Sequence, residues 1–543
     1  MFNLSDIQKM TSLLSPAGLW EHFKKLLGAY EEKVEEVGKL EKEVLELKDR
    51  LRKLIGEQEI PKIKGKKKDK KNLHHPKPDN KDRKKRNKKG KNAEVKINRE
   101  EKCSVDKENL PTDAEYKGTR EVIIQNIIIK TDNVKFHIER WYSPSQKKYY
   151  EGKLPPGFKG SQFGPDLRSL IVMLYVGLRS TENKIESFLK DLGINISAGE
   201  ISKILINPKA SFSEEMDGAI KAGTDKTPFL HIDATGMNIH GNSCFNLCNG
   251  NQYFSSHSTV KDRSRLQAVI SLISNKKLIF ILDEDATEWI FQRISGKNKK
   301  LYEKINFAKS ERHYSEEEIV KLISILEVDD VKFQNYIKTG SLLSAWKKNL
   351  LGEVPKGLIS DSASEYKDIL KFHQMCWVHE LRHYREIKIC SKYIEEELDA
   401  FFDQAWDLFD LMDSYKLFPT LEVRAKIEAD FKTIFEKEYT STMINHCRAN
   451  TLSRKENLLT FLDHPTIEIH NNPVESYIRE KVVRRKISGG HKNLKGAVAG
   501  NLWISLYQTV RKNCVSFWLY LHDRFHGLNQ IAQLSTIIEL RVA

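Results

Sequence analysis

Three acidic residues sit where an acid is awkward for packing alone. Asp233 lies inside the apolar run Phe229, Leu230 and Ile232, and Asp361 closes a short buried strand at Gly357–Ser360. Glu475 falls in the first turn of an expected helix, after His470, Asn471 and Asn472. Each has an ordinary reading: a strand-end acid bonded to backbone, a helix N-cap, and a first-turn acid favoured by the helix dipole. Gathered together they would do something else. A hard divalent cation such as Mg²⁺ takes oxygen donors and keeps some of its waters, so a few convergent carboxylates suffice to hold it.

The elements that must gather them can be read from the patterning. FLHIDATGMNI, SCFNLCN and QYFSSHS are three short strands in close succession, which suggests an antiparallel meander carrying Asp233 on its first strand. A helix over 263–273 follows, then KKLIFIL as a strand, a mostly helical stretch to about 350, and the strand ending at Asp361. Residues 377–462 read as long amphipathic helices, and 473–512 as helix, Gly-Gly break and helix. An acid on the first strand of a meander, an acid ending a later strand and an acid on a late helix make the layout of an RNase H-like fold. The fold class is therefore α/β, an RNase H-like mixed sheet with large helical insertions.

Upstream, residues 19–56 carry a heptad. Phe23, Tyr30, Val37, Val44 and Leu51 fall seven apart, as do Leu26, Lys33, Leu40, Leu47 and Leu54, and nine of these ten are apolar. Over four heptads this predicts a coiled coil, and Val on one seam with Leu on the other favours a parallel dimer; one long helix packed on its own domain is the competing reading. Residues 60–112 are rich in Lys, Asn and Pro and read as a disordered tether. EVIIQNIIIK, VKFHIERWY and KKYYEG look like strands. Helices are expected over 166–178, 182–192 and 197–206, the last with a capping box from Ser197 and Glu200. Two short helices about a turn at Gly193 match a helix-turn-helix, although such pairs are also common as plain core.

Composition bounds the function. A chain of 543 residues with 39% hydrophobic and 30% charged residues is too long for one core and reads as soluble and mostly folded. Lys and Arg number 90 against 75 Asp and Glu, but the surplus is local. The tract 62–91 holds 16 Lys or Arg against 3 Asp, leaving 74 against 72 elsewhere. One exposed basic tract on a nearly neutral protein suits a polyanion, most often nucleic acid, with a solubilising linker as the bland alternative. No run of about 18 apolar residues and no secretory signal are visible, and seven scattered cysteines argue against a disulfide framework. Secreted and membrane classes are thereby excluded, and a reducing cytoplasm is expected.

The sequence resembles the DDE transposases, and more narrowly the insertion-sequence-66 family. HIDATGMNI around Asp233, LISDSASEY around Asp361 followed by CWVHELRHY, and IHNNPVESYIREKVVRRKIS around Glu475 carry the likeness. The heptad, basic tract, paired helices and acid-bearing core also occur in the family's order. The resemblance implies metal-dependent cleavage and strand transfer at the ends of a mobile element. Asp233 would bridge two Mg²⁺ ions (Mn²⁺ as a substitute), with Asp361 and Glu475 each holding mainly one. Attacking and leaving oxygens both gain negative charge, which such a pair stabilises. It further implies double-stranded DNA as partner (terminal inverted repeats and target), a homo-oligomer of at least two chains, and a cytoplasmic protein associated with the bacterial nucleoid. The implied organisation is a coiled coil at 1–59, a basic linker at 60–112 and a small β-rich module at 113–160. A helix-turn-helix segment at 161–225 precedes the catalytic core, which runs over 226–380 and 466–543 around a helical insertion at 381–465.

Further residues have two readings each. Cys376 and His379 have zinc-like spacing, but a structural zinc wants four ligands, and only Cys390 and Cys447 could complete the set. His379, Arg382 and His383 share one helical side and would approach the scissile phosphate. Arg479, Lys481, Arg484, Arg485 and Lys486, with Lys492 and Lys495 beyond, form a basic run with few acids near it besides Glu480. Phosphate clamping explains such a run better than a solvated helix face does. Two rivals stand beside the transposase: a non-catalytic DNA-binding or architectural protein that retains the fold, and a structure-specific nuclease without strand transfer.

Overall fold

The computed structural model describes residues 119–541 apart from 228, 274–276, 295–297, 390 and 391, together with 96–105, 114–116 and scattered positions between 24 and 40. Most of the heptad and the whole basic tract lie outside these residues. The described positions between 24 and 40 are helical, and 96–105 has no regular structure. By contacts the chain forms two units, residues 1–39 with 133–543, and residues 40–132.

Only part of the expected β-rich module is strand. β1 (Arg140–Ser143) and β2 (Lys148–Glu151) form an antiparallel hairpin, while EVIIQNIIIK at 121–130 has no regular structure. β-branched residues favour a strand only where a neighbour pairs with it. Ile124, Ile127 and Ile128 lie exposed, so that support is lacking here.

Helices follow at α1 (Pro165–Val176), α2 (Glu182–Asp191), α3 (Ala198–Ile206) and α4 (Ala210–Lys226). Ser197 Oγ accepts the Glu200 N–H at 3.3 Å, but the Glu200 carboxylate turns to Lys203, so only half of the capping box forms. Ile201 and Leu205 of α3 are buried, and the Leu205 carbonyl accepts the Trp503 indole N–H at 2.8 Å.

The meander is β3 (Phe229–Ile239), β4 (Asn242–Gly250) and β5 (Ser255–Val260), paired antiparallel. A two-residue turn joins β3 to β4: His240 and Gly241 both have positive φ, the backbone such a hairpin needs, and Asn238 Oδ1 accepts the Gly241 N–H. After α5 (Arg265–Leu272), the expected strand at KKLIFIL shortens to β6 (Phe280–Leu282). β6 joins β7 (Ser310–Tyr314) in a separate ribbon rather than the main sheet. Around that ribbon lie α6 (Glu284–Phe291), α7 (Lys299–Ala308), α8 (Glu316–Ile325) and α9 (Val331–Lys347).

The main sheet is completed by β8 (Gly357–Ser360) and β9 (Phe372–Met375), giving the order β5-β4-β3-β8-β9. β8 runs parallel to both β3 and β9. Phe229, Leu230, His231 and Ile232 are buried; β8 pairs with the first three of them and β4 from His231 onward. Past Asp233, β4 accompanies β3, with one further bridge from Ile239 to His491.

Helices α10 (Trp377–Arg385), α11 (Lys392–Tyr415), α12 (Leu421–Phe435) and α13 (Thr442–Ser453) share an apolar core with Phe229, Ile359 and Met375 of the sheet. Trp377, Tyr384, Phe401, Phe431 and Phe435 pack within it. The chain returns through α14 (Asn472–Ser488), α15 (Leu494–Lys512), α16 (Phe517–His526) and α17 (Leu534–Leu540). Gly489 ends α14 in the left-handed region, and a Cβ on Gly490 would meet the Asn238 carbonyl at 2.9 Å. Among the described residues no helix is long and apolar enough to cross a membrane.

Candidate active site

Sheet register brings the first two acids together. Phe229, Leu230 and His231 pair with Gly357, Leu358 and Ile359, a constant offset of 128 residues. The same offset carried two residues on sets Asp233 against Asp361, where the paired part of β8 has ended. Asp233 Oδ1 accepts its neighbour's Ala234 N–H at 2.7 Å, and Asp361 Oδ1 accepts the Ala363 N–H at 3.1 Å.

The third acid arrives on α14. Val474 and Ile478 pack on Cys248, which is the cross-strand partner of Asp233 on β4. Pro473 in the first turn starts the helix with its φ already set. Asn471 precedes it but does not cap it; its side chain is committed elsewhere. Asn471 Nδ2 donates to the Ile232 carbonyl at 2.9 Å, and Oδ1 lies 2.9 Å from His231 Nδ1. Burial drives the His231 pKa down to about 4, so the imidazole is neutral at pH 7 and donates to Asn471.

A second tie runs through Cys376. Its N–H donates to the Ser360 carbonyl at 2.8 Å, and its Sγ accepts the Asn471 N–H at 3.2 Å. The Trp377 N–H donates to the Ile469 carbonyl at 3.0 Å. The residues just before Asp233 and Asp361 are thus bonded, through Asn471 and Cys376, to the segment that launches the Glu475 helix.

Asp233 feels both burial and the charges of the other two acids. Burial pushes the Asp233 carboxyl up to about 7, with the negative charges of Asp361 and Glu475 adding to it. Tyr366, buried beside the aspartates, is pushed up as well, first by burial and then by Asp233 and Asp361. Arg263, ion-paired with Glu365 at 2.7 Å, acts on Asp233 in the opposite direction. Glu475 Oε1 is buried without a hydrogen-bond partner, although His379 Nδ1 lies 3.3 Å away. Carboxylate oxygens are the donors a hard divalent cation takes, and the three acids feel one another's charge, but their oxygens do not all lie within 4.8 Å of one another; Glu475 clusters that closely with Cys376 and His379 instead.

The remaining expected site residues divide. Arg382 donates to His379 Nε2 at 3.0 Å, which leaves the ring proton on Nδ1, facing Glu475. Burial and Arg382 lower the His379 pKa. Arg382, His383, Arg479 and Lys486 are exposed, and Arg485 is half-buried. Lys481 and Arg484, expected to clamp phosphate with the rest of the run, are buried instead, which corrects that reading for these two. Lys481 Nζ donates to Asn501 Oδ1 at 2.7 Å and lies 3.2 Å from His491 Nε2, and burial lowers its pKa to about 7. Arg484 stacks on the Tyr175 ring at 3.4 Å and donates to the Tyr175 carbonyl. Helical spacing is the reason: 481 and 484 are three apart and share the face turned toward α15 and α1, while 479 and 486 fall opposite.

The zinc reading of Cys376 also changes. Cys376, His379 and Glu475 bring ligand atoms within 4.8 Å of one another, but burial pushes the thiol pKa up to about 11, away from the thiolate a metal needs. Cys447 turns its sulfur to the His383 carbonyl, and Cys390 lies outside the described residues. Asn471, His231, Arg263 and Tyr366 are the site residues that sequence reasoning missed. The paired Asn was visible in the motif; its reach to Ile232 was not.

Comparison with known proteins covers part of this site. The chain is 26% identical over 324 residues to the uncharacterized protein y4jO of Sinorhizobium fredii, a match covering 59% of this chain and 98% of that protein. Residues 344–499 match the family described as Transposase IS66 family, a span that contains Asp361, the 376–384 string, the Asn pair and Glu475. Asp233 precedes that span and joins it through the sheet. The resemblance read from the motifs is thus supported over residues 344–499, the segment that carries Asp361 and Glu475 and is similar to the IS66-family transposases.

Proposed function

We propose that this chain is a DNA transposase that cuts and rejoins strands at the ends of a mobile element, with Asp233, Asp361 and Glu475 as its catalytic carboxylates. The observation that carries the reading is the buried Asp233 carboxyl on β3, raised to about 7 chiefly by burial, with the negative charges of Asp361 and Glu475 adding to it. The sheet order β5-β4-β3-β8-β9, with β8 parallel to β3, is the order an RNase H-like core calls for and supports the same reading.

Two Mg²⁺ ions held by these acids would supply positive charge to the attacking and leaving oxygens of a phosphodiester. The chain's own groups do the positioning. Asn471 holds the strand of Asp233 against the helix of Glu475, and Cys376 holds the end of β8 to the same point. Neutral His379 presents its Nδ1–H toward Glu475. Arg382, His383, Arg479, Arg485 and Lys486 are available to phosphates, and α2 with α3 is the segment suited to duplex DNA as a helix-turn-helix. Self-association through the N-terminal heptad would bring two such sites to the two ends of an element.

Strand cleavage and joining on terminal-repeat DNA with Mg²⁺ tests this, using Asp233→Asn, Asp361→Asn and Glu475→Gln. Loss of at least about 10³-fold in rate in each folded variant is expected, the scale on which a catalytic group is felt. Undiminished activity in all three rejects the assignment. A wild-type protein that binds DNA and neither cuts nor joins it is the architectural rival.

A further inference from the structure

Away from the carboxylate site, three metal-type ligands meet between α1 and α16. His522 and His526 are four residues apart on α16, so they project from one side of that helix. Their rings lie 4.2 Å apart between centroids, 31° from parallel. Asp166, in the first turn of α1, turns one oxygen to both: its Oδ1 is 3.3 Å from His522 Nε2 and 3.0 Å from His526 Nε2.

These two separations are hydrogen-bond distances as they stand, and they are also close to the edges of a coordination polyhedron. Bonds of about 2.0–2.1 Å from a tetrahedral Zn²⁺ put neighbouring ligand atoms about 3.3–3.4 Å apart. Two imidazoles and one carboxylate are also the donor set that suits Zn²⁺ and its neighbours rather than Mg²⁺. The supporting elements are firmly held. Arg524 of α16 donates to both carboxylate oxygens of Glu215 on α4, at 2.8–2.9 Å, and Arg168 of α1 lies over the Phe525 ring at 5.2 Å. His526 is 21% exposed, His522 38% and Asp166 65%, so protein closes one side and water can take the remaining position.

We infer that Asp166, His522 and His526 form a second metal site, for a transition-series divalent cation of the Zn²⁺ class with water as fourth ligand, which staples α1 to α16. It does not depend on the assignment of the catalytic acids.

Co²⁺ titration of the full chain in excess Mg²⁺, followed by visible absorption and by Zn²⁺ competition, tests it. The wild type is expected to develop d–d absorption that Zn²⁺ abolishes, and the Asp233→Asn/Asp361→Asn/Glu475→Gln variant is expected to keep it. His522→Gln/His526→Gln should lose it, with affinity at least about tenfold weaker for two lost ligands. Should that double variant fail to fold by circular dichroism, Asp166→Asn replaces it, with the same tenfold weakening expected. No absorption in the wild type, or unchanged affinity in the folded His or Asp variant, overturns the site.

Discussion

The backbone N–H of Asn471 donates to the sulfur of Cys376 at 3.2 Å, joining the start of α14 to the start of α10. Through the other bonds of these two residues, to Ile232 and Ser360, that contact sets all three acids on one frame. Asn471→Ala would strip partners from the buried His231 ring and the Ile232 carbonyl. Each orphaned group costs about 1–3 kcal/mol, so a loss of about 2–6 kcal/mol is expected in denaturant unfolding. Cleavage should fall at least about tenfold beyond the folded fraction, because a small misplacement of Glu475 is costly to a site that works by positioning.

Asp233 should make metal binding depend on pH. Its carboxyl titrates at about 7 in the folded chain, well above the ordinary 3.8. A raised acid keeps its proton longer when folded, so the stability it contributes is complete below about 4 and is lost as pH rises through about 7. Metal must displace that proton. Mn²⁺ affinity should therefore climb by up to about tenfold per pH unit below 7 and flatten above it. Calorimetric titration across pH 5.5–8.5 checks this, and a flat profile in the wild type would remove Asp233 from the ligand set.

The basic run should behave as two groups. Arg479→Ala, Arg485→Ala and Lys486→Ala should each lower the slope of log affinity against log salt by about 0.9 on duplex DNA. Lys481→Met and Arg484→Met, changed in the interior, should leave that slope alone. Lys481 has its own signature. The unfolded chain keeps the proton to about 10.5 while the folded one releases it near 7, so stability rises with pH between those values. Lys481→Met should reduce that rise in urea unfolding at pH 7 and 10, leaving the part due to Lys512, which burial shifts the same way; an undiminished rise would place the titration elsewhere.

Thiol chemistry separates the cysteines. Cys376 is 2% exposed and its thiol is pushed up to about 11, whereas Cys103 and Cys514 are exposed. Iodoacetamide at pH 8 should label Cys103 and Cys514 in the native protein and leave Cys376 unmodified until denaturant is added, as read by mass spectrometry. Early modification of Cys376 would mean that the α10–α14 junction opens readily.

Local pattern determined a good deal. The meander, the strand ending at Asp361, the helix after Asn471 and the glycine break behind it follow from apolar periodicity, Pro473 and Gly489, all of which act over a few residues. EVIIQNIIIK shows the limit of that reasoning: its residue types suit a strand, but a strand needs a partner and none pairs with it among the described residues. β9 went unread because FHQM is too short and too polar to stand out, and its ladder to β8 exists only after folding.

The tertiary structure decided which charges are outside and how the acids meet. Along the sequence Lys481 and Arg484 look no different from Arg479 and Lys486; the packing of α15 and of Tyr175 against α14 turns two of them inward. Asp233 and Asp361 are 128 residues apart, and the same 128-residue offset in the β3–β8 pairing brings them level. Residue types along a chain declare what a side chain can do. Which side chains do it together is set by strand register and helix packing, long-range choices made only when the core closes.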